Sequence, residues 1–582
     1  MLKTSVEDKV DARGDVILDI RDLATHFPMR NATVHAVDGV SLKLRRGKTT
    51  CVVGESGSGK SVTARSVLQI VDAPGRIVGG TIALRTGGGE VDIATLHPRS
   101  RAIRAIRGRD IAMIFQEPMS SLSPVHTIGN QIIESIRLHE KVTKAEARAR
   151  AIELLAQVEI REPEKAIDQY TFEFSGGMRQ RAMIAMALSC NPQVLIADEP
   201  TTALDVTTQA EILDLMRSLQ EKHDMAIMFI THDMGVVAEI ADDVVVMRHG
   251  KVVETGEVNE IFANPRHAYT RRLLESVVKL EQRAEIKRPE AEVLAEQTDP
   301  ILSVKNVSVV FPLRGPKRKG PARGFRAVND VSFDLRRGES LGIVGESGSG
   351  KTTLGRVLAS VLSPSEGGIR FHENGGAGGD VGQLEGEALR NYRRQVRMVF
   401  QDPHGSLNPR MTVGQIVAEP LLNNGIARGD ALRDRVYDLL EQVGLPAAVA
   451  ERYPHAFSGG QRQRICIARA IALEPRVVIC DEATSALDVS IRSQVLDLLI
   501  RLQERLDLSF VFIAHDIGVV RYFCDRVAVM RKGEIVEMGP ASQVCDNPQH
   551  PYTKALISAV PHPDPTARSM HLRHRYEDAG VS

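Results

Sequence analysis

The sequence GESGSGKS occupies residues 54–61, and its near-copy GESGSGKT occupies residues 345–352. Each copy follows a short apolar run, TCVV or LGIV, and precedes a segment with a helical pattern. This order of strand, glycine-rich loop and helix is typical of a phosphate-binding loop, because the glycines let backbone N–H groups surround phosphate oxygens at the positive end of the helix. The pattern therefore predicts two nucleotide-binding cores of the α/β class.

Other short segments recur in the same order in both halves of the chain. From Ser175 onward, each segment lies 283 positions before its copy, since 458 minus 175 and 547 minus 264 both equal 283. An offset this constant indicates that a whole domain is repeated. The matched pairs are Gln116 with Gln401, Ser175 with Ser458, Asp198 with Asp481, His232 with His515, and Asn264 with Asn547.

The repeat predicts two tandem P-loop nucleotide-binding domains, each with a helical subdomain inserted after the glycine-rich loop. We place the domains at residues 16–280 and 301–562. A charged linker at 281–300 joins them, and tails at 1–15 and 563–582 flank them. In the first insertion, Thr143 and Glu146 fit a capping box at the start of a helix. In the second insertion, Gly444 fits the end of one.

Composition and charge limit the classes of function. The 582 residues contain 74 Lys plus Arg and 74 Asp plus Glu, so no overall charge attracts nucleic acid. No apolar run reaches the roughly 18 residues that a membrane-spanning helix requires, so we expect no span. The six cysteines form no CxxC pair, which favours reduced core thiols over a metal site or disulfides. The basic segment 313–326 fits a solvated loop better than a lipid or partner contact.

The glycine-rich loops contain the candidate ATP-binding residues. The loop lysine, Lys60 or Lys351, is expected to reach the β- and γ-phosphates, and the hydroxyl of Ser61 or Thr352 to bind Mg²⁺. The loop residues are Gly54, Glu55, Ser56, Gly57, Ser58, Gly59, Lys60 and Ser61 in the first half, and Gly345, Glu346, Ser347, Gly348, Ser349, Gly350, Lys351 and Thr352 in the second.

Two apolar runs, QVLIADE (193–199) and RVVICDE (476–482), each end in a pair of carboxylates. A continuous apolar run predicts a buried parallel strand whose carboxyl end opens on the site. Asp198 and Asp481 are therefore candidates for holding Mg²⁺. Glu199 and Glu482 are candidates for polarising the attacking water, a role worth about 10²- to 10⁴-fold in rate.

Histidine and glutamine residues follow other apolar strands in both halves. His232 and His515 end the runs IMFIT and FVFIA, where their side chains are expected to contact a γ-phosphate. A lone histidine at a strand end is more often a surface or core residue, but here it recurs in register. Gln116 and Gln401 follow IAMIF and RMVF, and we expect them to link Mg²⁺ to whatever lies beyond the site.

The segments FSGGMRQR (174–181) and FSGGQRQR (457–464) resemble the signature motif of the ATP-binding cassette (ABC) superfamily. The resemblance covers about residues 17–560, and it implies that the serine and glycines clamp the γ-phosphate of the ATP bound by the opposite domain. Asp205 and Asp488 resemble the loop that couples the two sites. The clamp residues would be Ser458, Gly459 and Gly460 for the site of Lys60, and Ser175, Gly176 and Gly177 for the site of Lys351. Met178 stands where the signature commonly has Gln, but Ser175 and both glycines remain, so both sites are expected to hydrolyse ATP, at rates that the sequence leaves open as equal or unequal.

Other segments narrow the resemblance to the peptide and nickel importers. EPMSSLSP (117–124) and DPHGSLNP (402–409) resemble the Gln-loop extensions of those ATPases, and the segments at 264–277 and 547–560 resemble their C-terminal element. The first half resembles the D-type subunit and the second the F-type, so the chain resembles the fused forms. Many D-type subunits carry a cysteine cluster after this element. This chain has none there, so we expect no iron–sulfur cluster.

The resemblance implies an ATPase that drives import of di- or oligopeptides or glutathione-like peptides, without fixing the solute. The implied partners are two integral-membrane permease subunits and, indirectly, a periplasmic or extracellular solute-binding protein. The chain would then lie peripherally on the cytoplasmic face of the inner membrane. The alternative is a soluble tandem ABC ATPase acting on ribosomes or DNA, which the balanced charge, the absence of tryptophan and 4% aromatic content disfavour. Phe27 and Phe311 are candidates either for adenine stacking or for the core.

Overall fold

The computed structural model describes residues 16–281 except 31, 118–120 and 203, residues 299–312, residues 324–568 except 374–378 and 486, and residues 573 and 576. The chain forms two compact units that follow the two halves of the repeat, and the segment 561–568 belongs to the first unit. The N-terminal tail 1–15, nearly all of the linker 281–300 and most of the basic segment 313–326 lie outside the described residues. Within the described part of the chain, no helix combines the length and apolar character needed to cross a bilayer.

A six-stranded sheet lies at the centre of the first unit, with the described strands in the order β10-β9-β3-β8-β7-β6. All neighbouring pairs are parallel except β9 and β10. The two strands predicted from apolar runs, β7 and β8, are buried at every residue, because helices cover both faces of a parallel sheet. The strands are β3 (Thr49–Val53), β6 (Ile111–Ile114), β7 (Val194–Asp198), β8 (Ala226–Thr231), β9 (Asp243–Arg248) and β10 (Lys251–Glu257).

An antiparallel sheet in the order β2-β1-β4-β5 completes the strands described in the first unit. One face of this sheet is apolar, and it shares a core with helix α1 and with the parallel sheet, since Leu18, Ile82, Ala64 and Ile196 are all buried in one cluster. The strands are β1 (Val16–Pro28), β2 (Thr33–Arg45), β4 (Arg76–Thr86) and β5 (Gly89–Asp92).

Helices of the first unit include the predicted helical subdomain. Helix α4 begins with the capping box expected from the sequence, in which the Thr143 N–H donates to Glu146 Oε2 at 2.7 Å and the Glu146 N–H donates to Thr143 Oγ1 at 3.2 Å. The α-helices are α1 (Lys60–Val67), α2 (Arg101–Ile106), α3 (Ile128–His139), α4 (Lys144–Gln157), α5 (Pro163–Ala166), α6 (Gly176–Ala187), α7 (Val206–His223), α8 (Met234–Ile240), α9 (Val258–Ala263) and α10 (Ala268–Glu281).

The second unit repeats this plan. Its described strands form a six-stranded sheet in the order β15-β16-β17-β13-β18-β19 and an antiparallel sheet in the order β12-β11-β14. The strands are β11 (Pro300–Pro312), β12 (Gly324–Arg336), β13 (Ser340–Val344), β14 (Glu366–Phe371), β15 (Val396–Val399), β16 (Val477–Asp481), β17 (Ser509–Ile513), β18 (Arg526–Arg531) and β19 (Glu534–Pro540).

The helices of the second unit also follow the predicted plan. The helix predicted to stop at Gly444 ends at Gln442, and Gly444 has a φ of 73°, a left-handed conformation that glycine adopts readily. The α-helices are α11 (Lys351–Leu358), α12 (Gly386–Gln395), α13 (Pro403–Ser406), α14 (Val413–Asn423), α15 (Gly429–Gln442), α16 (Gly459–Ile471), α17 (Val489–Leu506), α18 (Ile517–Phe523), α19 (Ala541–Asp546) and α20 (Pro551–Ser558).

Candidate functional site

The first glycine-rich loop connects β3 to α1, and its backbone requires glycine at several positions. Gly54, Gly57 and Gly59 have φ values of 149°, 77° and 100°, which L side chains seldom adopt. A Cβ atom at Gly59 would lie 2.3 Å from the carbonyl oxygen of Ala36, so a side chain cannot fit there. The loop therefore folds tightly around a space that the first N–H groups of α1 face.

The second loop, between β13 and α11, has nearly the same conformation. Gly345, Gly348 and Gly350 have φ values of 151°, 79° and 102°, and a Cβ at Gly350 would lie 2.2 Å from the carbonyl oxygen of Ala327. In each loop the serine just before the last glycine is buried and the tip is open to solvent. The buried residues are Ser58 and Ser349, and the exposed ones are Ser56, Gly57, Ser347 and Gly348.

Each loop encloses the ammonium group of its own lysine. Lys60 Nζ donates to the carbonyl oxygens of Gly54 at 2.6 Å and Glu55 at 3.0 Å. Lys351 Nζ donates to the carbonyl oxygens of Gly345 at 2.7 Å and Glu346 at 2.8 Å. Both lysines are only 5% exposed, and burial lowers the pKa of Lys351. A cation held beside the loop, next to the N–H groups that begin the helix, provides a site for a polyanion.

A hydroxyl group and a buried carboxylate lie together beside each loop. Ser61 Oγ donates to Asp198 Oδ1 at 2.9 Å, and Thr352 Oγ1 donates to Asp481 Oδ1 at 3.0 Å. Burial raises the pKa of both aspartates. Hydroxyl and carboxylate oxygens are the hard ligands that Mg²⁺ prefers, and the hydrogen bond between them holds both at one point. The donor set at each of these positions therefore fits Mg²⁺.

Glu199 follows β7 directly and is surrounded by polar partners. Its Oε2 atom accepts hydrogen bonds from Gln116 Nε2 at 3.0 Å and from Thr202 Oγ1 at 3.0 Å, and its Oε1 atom lies 3.4 Å from His232 Nδ1. Burial alone would raise the pKa of this carboxyl, but the hydrogen bonds from His232 and Thr202 and the charge of Lys60 outweigh it and lower the pKa to about 2. The carboxylate is thus ionised and directionally fixed at neutral pH.

Glu482 has similar surroundings with two differences: its glutamine and histidine partners both lie at Oε2, and no threonine among the described residues donates to it. It accepts a hydrogen bond from Gln401 Nε2 at 2.6 Å and lies 3.6 Å from His515 Nδ1. Burial opposes ionisation here as well, yet the contact with His515 and the charge of Lys351 lower its pKa. The residue that corresponds to Thr202 is Ser485, whose Oγ donates to the backbone carbonyl of Glu482 at 2.9 Å. The sequence therefore identified the glutamine, glutamate and histidine groups that meet, but not Thr202.

Two tyrosines that sequence reasoning missed support the glycine-rich loops. The Glu55 N–H donates to Tyr269 Oη at 2.9 Å, and the Glu346 N–H donates to Tyr552 Oη at 3.1 Å. The guanidinium of Arg248 lies 5.0 Å from the Tyr269 ring centroid, and that of Arg531 lies 5.1 Å from the Tyr552 ring centroid. The signal was present in the sequence, because both tyrosines stand at the same position of the repeated NPxHxYT segment, 283 residues apart.

The signature segments form the N-termini of α6 and α16. Ser175 and Ser458 are the N-cap residues, and their Oγ atoms accept from the N–H groups of Met178 and Gln461. Only the second helix has a full capping box, because Gln461 Oε1 accepts from the Ser458 N–H at 3.1 Å and methionine offers no such acceptor. The second glycine of each segment contacts the next long helix: Cβ atoms at Gly177 and Gly460 would lie 2.6 Å from Thr208 Cγ2 and 2.3 Å from Ile491 Cγ2.

The remaining candidates have less specific surroundings. Phe27 is half-buried, and a Cβ at Gly75 would lie 2.5 Å from its ring. Phe311 is 40% exposed. Their role toward adenine stays a prediction. All six cysteines are buried and free, and burial raises the pKa of Cys466 to about 11 and of Cys545 to about 12. Thiols with these pKa values are mostly protonated and weakly reactive at neutral pH.

Known families match both halves of the chain. The family model described as ABC transporter matches residues 37–202 and 328–485. The model described as the oligopeptide/dipeptide transporter, C-terminal region, matches residues 253–300 and 536–578. The second pair of matches includes both tyrosines that support the glycine-rich loops.

Curated relatives match almost the full length. The chain is 47% identical over 571 residues to the glutathione import ATP-binding protein GsiA of Pectobacterium atrosepticum, covering 95% of this chain and 90% of the relative. It is 48% identical over 586 residues to the protein of the same name from Salmonella choleraesuis, covering 98% and 92%. Among solved structures, cbiO1 from Clostridium perfringens is 29% identical, with 43% of this chain and 92% of that chain covered and a TM-score of 0.37.

Proposed function

The chain belongs to the ABC transporter family, and on this basis we propose that it is the energy-coupling ATPase of an importer of small peptides, with glutathione-like peptides as the favoured solutes. Membership in this family, which the signature segments predicted, is confirmed. The observation that carries the proposal is that one chain contains two regions matching the ABC transporter family and two matching the oligopeptide/dipeptide transporter C-terminal region. An ATPase of this kind turns over ATP at both sites.

The residues of the first unit have distinct roles in this proposal. Lys60 and the loop N–H groups bind the β- and γ-phosphates, and Ser61, Asp198 and Gln116 hold Mg²⁺. When bound, Mg²⁺ neutralises the negative charge that develops on the phosphates. Glu199, ionised at neutral pH, accepts a hydrogen bond from the attacking water and aligns it with the γ-phosphate. In the second unit the same roles fall to Lys351, Thr352, Asp481, Gln401 and Glu482.

The histidines act through the glutamates and the phosphate. His232 lies 3.4 Å from Glu199, and His515 lies 3.6 Å from Glu482. At Glu199 the imidazole lies at one carboxylate oxygen and the glutamine amide donates to the other, whereas at Glu482 both partners lie at Oε2. With the carboxylate oriented by these partners, the histidine ring contacts the γ-phosphate as it separates, which places charge stabilisation where the transition state needs it.

The serines and glycines of the signature segments complete the opposite sites. Ser175 and Ser458 are exposed at helix N-termini, where N–H groups and the helix dipole favour an anion. In the proposal, Ser458, Gly459 and Gly460 clamp the ATP bound by Lys60. Ser175, Gly176 and Gly177 clamp the ATP bound by Lys351. Closure on two ATP molecules then moves the units, and this motion is passed to the transporter's membrane part.

The relatives support a choice of solute and partners. Both curated relatives carry the name glutathione import ATP-binding protein, and the chain shares the oligopeptide/dipeptide transporter C-terminal region. We therefore assign two membrane permeases as direct partners and a solute-binding protein as an indirect one. The chain would act peripherally at the cytoplasmic face of the inner membrane. Because the permeases and binding protein select the solute, glutathione-like peptides are favoured by relationship and not by any pocket of this chain.

Purification from the host membrane, combined with uptake, tests the proposal. The tagged chain should retain two multi-span permeases after gentle solubilisation, and cells that lack it should lose ATP-dependent uptake of labelled glutathione or of a labelled dipeptide. Restoring the chain should restore uptake, whereas the double variant Glu199→Gln/Glu482→Gln should bind the same permeases and restore none. Recovery of ribosomal or DNA partners, with no permease and unchanged uptake of both solutes, would overturn it.

A further inference from the structure

A cluster of metal-binding side chains lies outside the catalytic sites of the first unit. His26 is on β1, and His35 and Asp38 are on β2. One ligand atom from each of the three lies within 4.8 Å of the other two. The two histidines are paired directly across the strands, and their rings stack with centroids 4.0 Å apart at an interplanar angle of 26°. The strand register therefore presents two imidazoles and one carboxylate at a single point.

The histidine on β1 has an unmet hydrogen-bonding group. His26 Nε2 is buried and has no hydrogen-bond partner among the described residues. A buried polar atom without a partner is unfavourable, and a metal ion bound to an imidazole nitrogen removes that cost. Stacked rings direct their nitrogen lone pairs along nearly parallel planes, so a metal ion that binds both imidazoles requires one ring to rotate, and His35 is exposed and able to do so.

The carboxylate of the cluster, Asp38, is already paired with a lysine side chain. Lys251 Nζ lies 3.1 Å from Asp38 Oδ2, and the lysine side chain is 64% exposed. An ion pair this exposed adds little to stability, so the lysine can move into water at little cost. Asp38 is then available as a ligand, and a metal ion takes the place of the lysine ammonium group beside its carboxylate.

We propose that His26, His35 and Asp38 form a binding site for a divalent transition metal, of the class of Zn²⁺, Ni²⁺ or Cu²⁺. Two imidazoles and one carboxylate are a donor set that suits these ions, and water completes the coordination at the exposed side. Mg²⁺ prefers an all-oxygen shell, so the site is selective against the ion that accompanies ATP.

The proposed site is connected to the phosphate-binding loop through the backbone. The carbonyl oxygen of Ala36, next to His35, lies against Gly59, where a Cβ would be 2.3 Å away. The Asp38 N–H donates to the carbonyl oxygen of Gly250 at 2.8 Å, and the Gly250 N–H donates to that of Ser58 at 3.0 Å. A metal that fixes β2 at both ends of this short segment therefore restrains the loop, and it changes ATP affinity in the first unit.

The second unit supplies an internal control. Its equivalent strand pair places Val310 opposite Arg326, where the first unit has His26 opposite His35. Asn329 occupies the place of Asp38, since its N–H donates to the carbonyl oxygen of Gly533 at 2.8 Å. The second unit therefore shows side chains with which this strand pair folds when the two histidines and the aspartate are replaced. They define the variant His26→Val/His35→Arg/Asp38→Asn.

Isothermal titration of the intact, chelator-treated chain with Zn²⁺ or Ni²⁺, without nucleotide, tests the proposal. One equivalent should bind, and His35→Arg should weaken binding by at least about 10- to 100-fold, the loss seen when even an outer partner of a metal ligand is removed. Lys251→Ala should strengthen binding, because it frees Asp38. His97→Ala, which removes an exposed histidine outside the cluster, should change nothing. Circular dichroism and ATP binding confirm that each variant is folded.

Two results would overturn the proposal. Absence of saturable binding of either ion at millimolar concentration is one. Binding that survives in the triple variant and is displaced by Mg²⁺ with ATP is the other, because it would assign the metal to the phosphate sites. If the site exists, a fluorescent ATP analogue should bind the first unit with altered affinity when Zn²⁺ is present, and the triple variant should abolish this effect.

Discussion

The two units agree in the backbone of their glycine-rich loops and differ in the side chains around Glu199 and Glu482. Corresponding glycines of the two loops have φ values within 2° of each other. Around the glutamates, however, Thr202 donates to the carboxylate of Glu199, whereas Ser485 donates to the backbone of Glu482. The loops are fixed by backbone geometry that glycine alone permits, so they cannot vary. The surrounding side chains do vary, and we expect this difference to change how fast each site hydrolyses ATP.

The largest expected effect comes from Glu199→Gln and Glu482→Gln, made one at a time. Each variant removes an ionised carboxylate but keeps its size, so hydrolysis at the altered site should fall by about 10²- to 10⁴-fold. We expect both variants to lower steady-state ATP turnover and solute uptake.

The comparison of these two variants measures how unequal the sites are. If one variant abolishes turnover and the other leaves it unchanged, only one site hydrolyses ATP. The matched control is Glu221→Gln, which changes an exposed carboxylate in α7 and should leave turnover unaltered.

A second, smaller effect concerns the tyrosines whose hydroxyls accept hydrogen bonds from the loops. Tyr269→Phe and Tyr552→Phe keep the ring against Arg248 or Arg531 but remove the acceptor of one loop N–H group. A hydrogen bond of this kind contributes about 0.5–1.5 kcal/mol, so ATP affinity at the altered site should weaken about two- to tenfold. The KM for ATP should rise while kcat stays unchanged.

The control for this prediction is Tyr170→Phe, which removes the hydroxyl of an exposed tyrosine. A lower kcat with an unchanged KM would show that the tyrosines act on the chemical step, and the positioning role would then be wrong. Equal effects in the two units would show that the two tyrosines, like the two glycine-rich loops, act in the same way.

The pH dependence of kcat compares the pKa values of the two glutamates. The pKa of Glu199 is lowered to about 2, so this carboxylate stays ionised until the pH falls far below its ordinary range of about 4.3. Thr202→Val removes one donor, so the pKa should rise by less than about one unit and the acid limb of kcat should move to higher pH. The measurement uses the Glu482→Gln background, in which the first site alone hydrolyses ATP. Ser485→Val, tested in the Glu199→Gln background, should shift the limb less.

How far the site could be predicted depends on how local its geometry is. The loops and the strands ending in Asp198 and Asp481 were predictable, because glycine spacing and apolar runs specify them over a few residues. Contacts between distant segments were not. Gln116 meets Glu199 across 83 positions, and Glu55 meets Tyr269 across 214. Such pairs depend on strand order and on register, which short patterns do not determine.

The cluster on β1 and β2 shows the same limit. Nothing in the separation of His26 from His35 indicates that they face each other, because a register shift of one residue would turn one of them to the opposite face. The pairing appears only when the hairpin is built. The difference from the second unit, with Val310 and Arg326 at these positions, then becomes visible.

The smallest expected effect concerns the caps of the two signature helices. Gln461 completes a capping box with Ser458, whereas Met178 leaves Ser175 with a single cap bond. Gln461→Met should destabilise the second unit by about 0.5–1 kcal/mol, and Met178→Gln should stabilise the first by a similar amount. For units of this size the melting temperatures measured by calorimetry should move by about 1–4 °C in opposite directions. A shift in the same direction for both variants would show that the cap is not the cause.

The exchange of Met178 and Gln461 also bears on catalysis, because a serine whose own N–H is bonded is held more firmly. In the double exchange, the faster of the two sites should become the slower one.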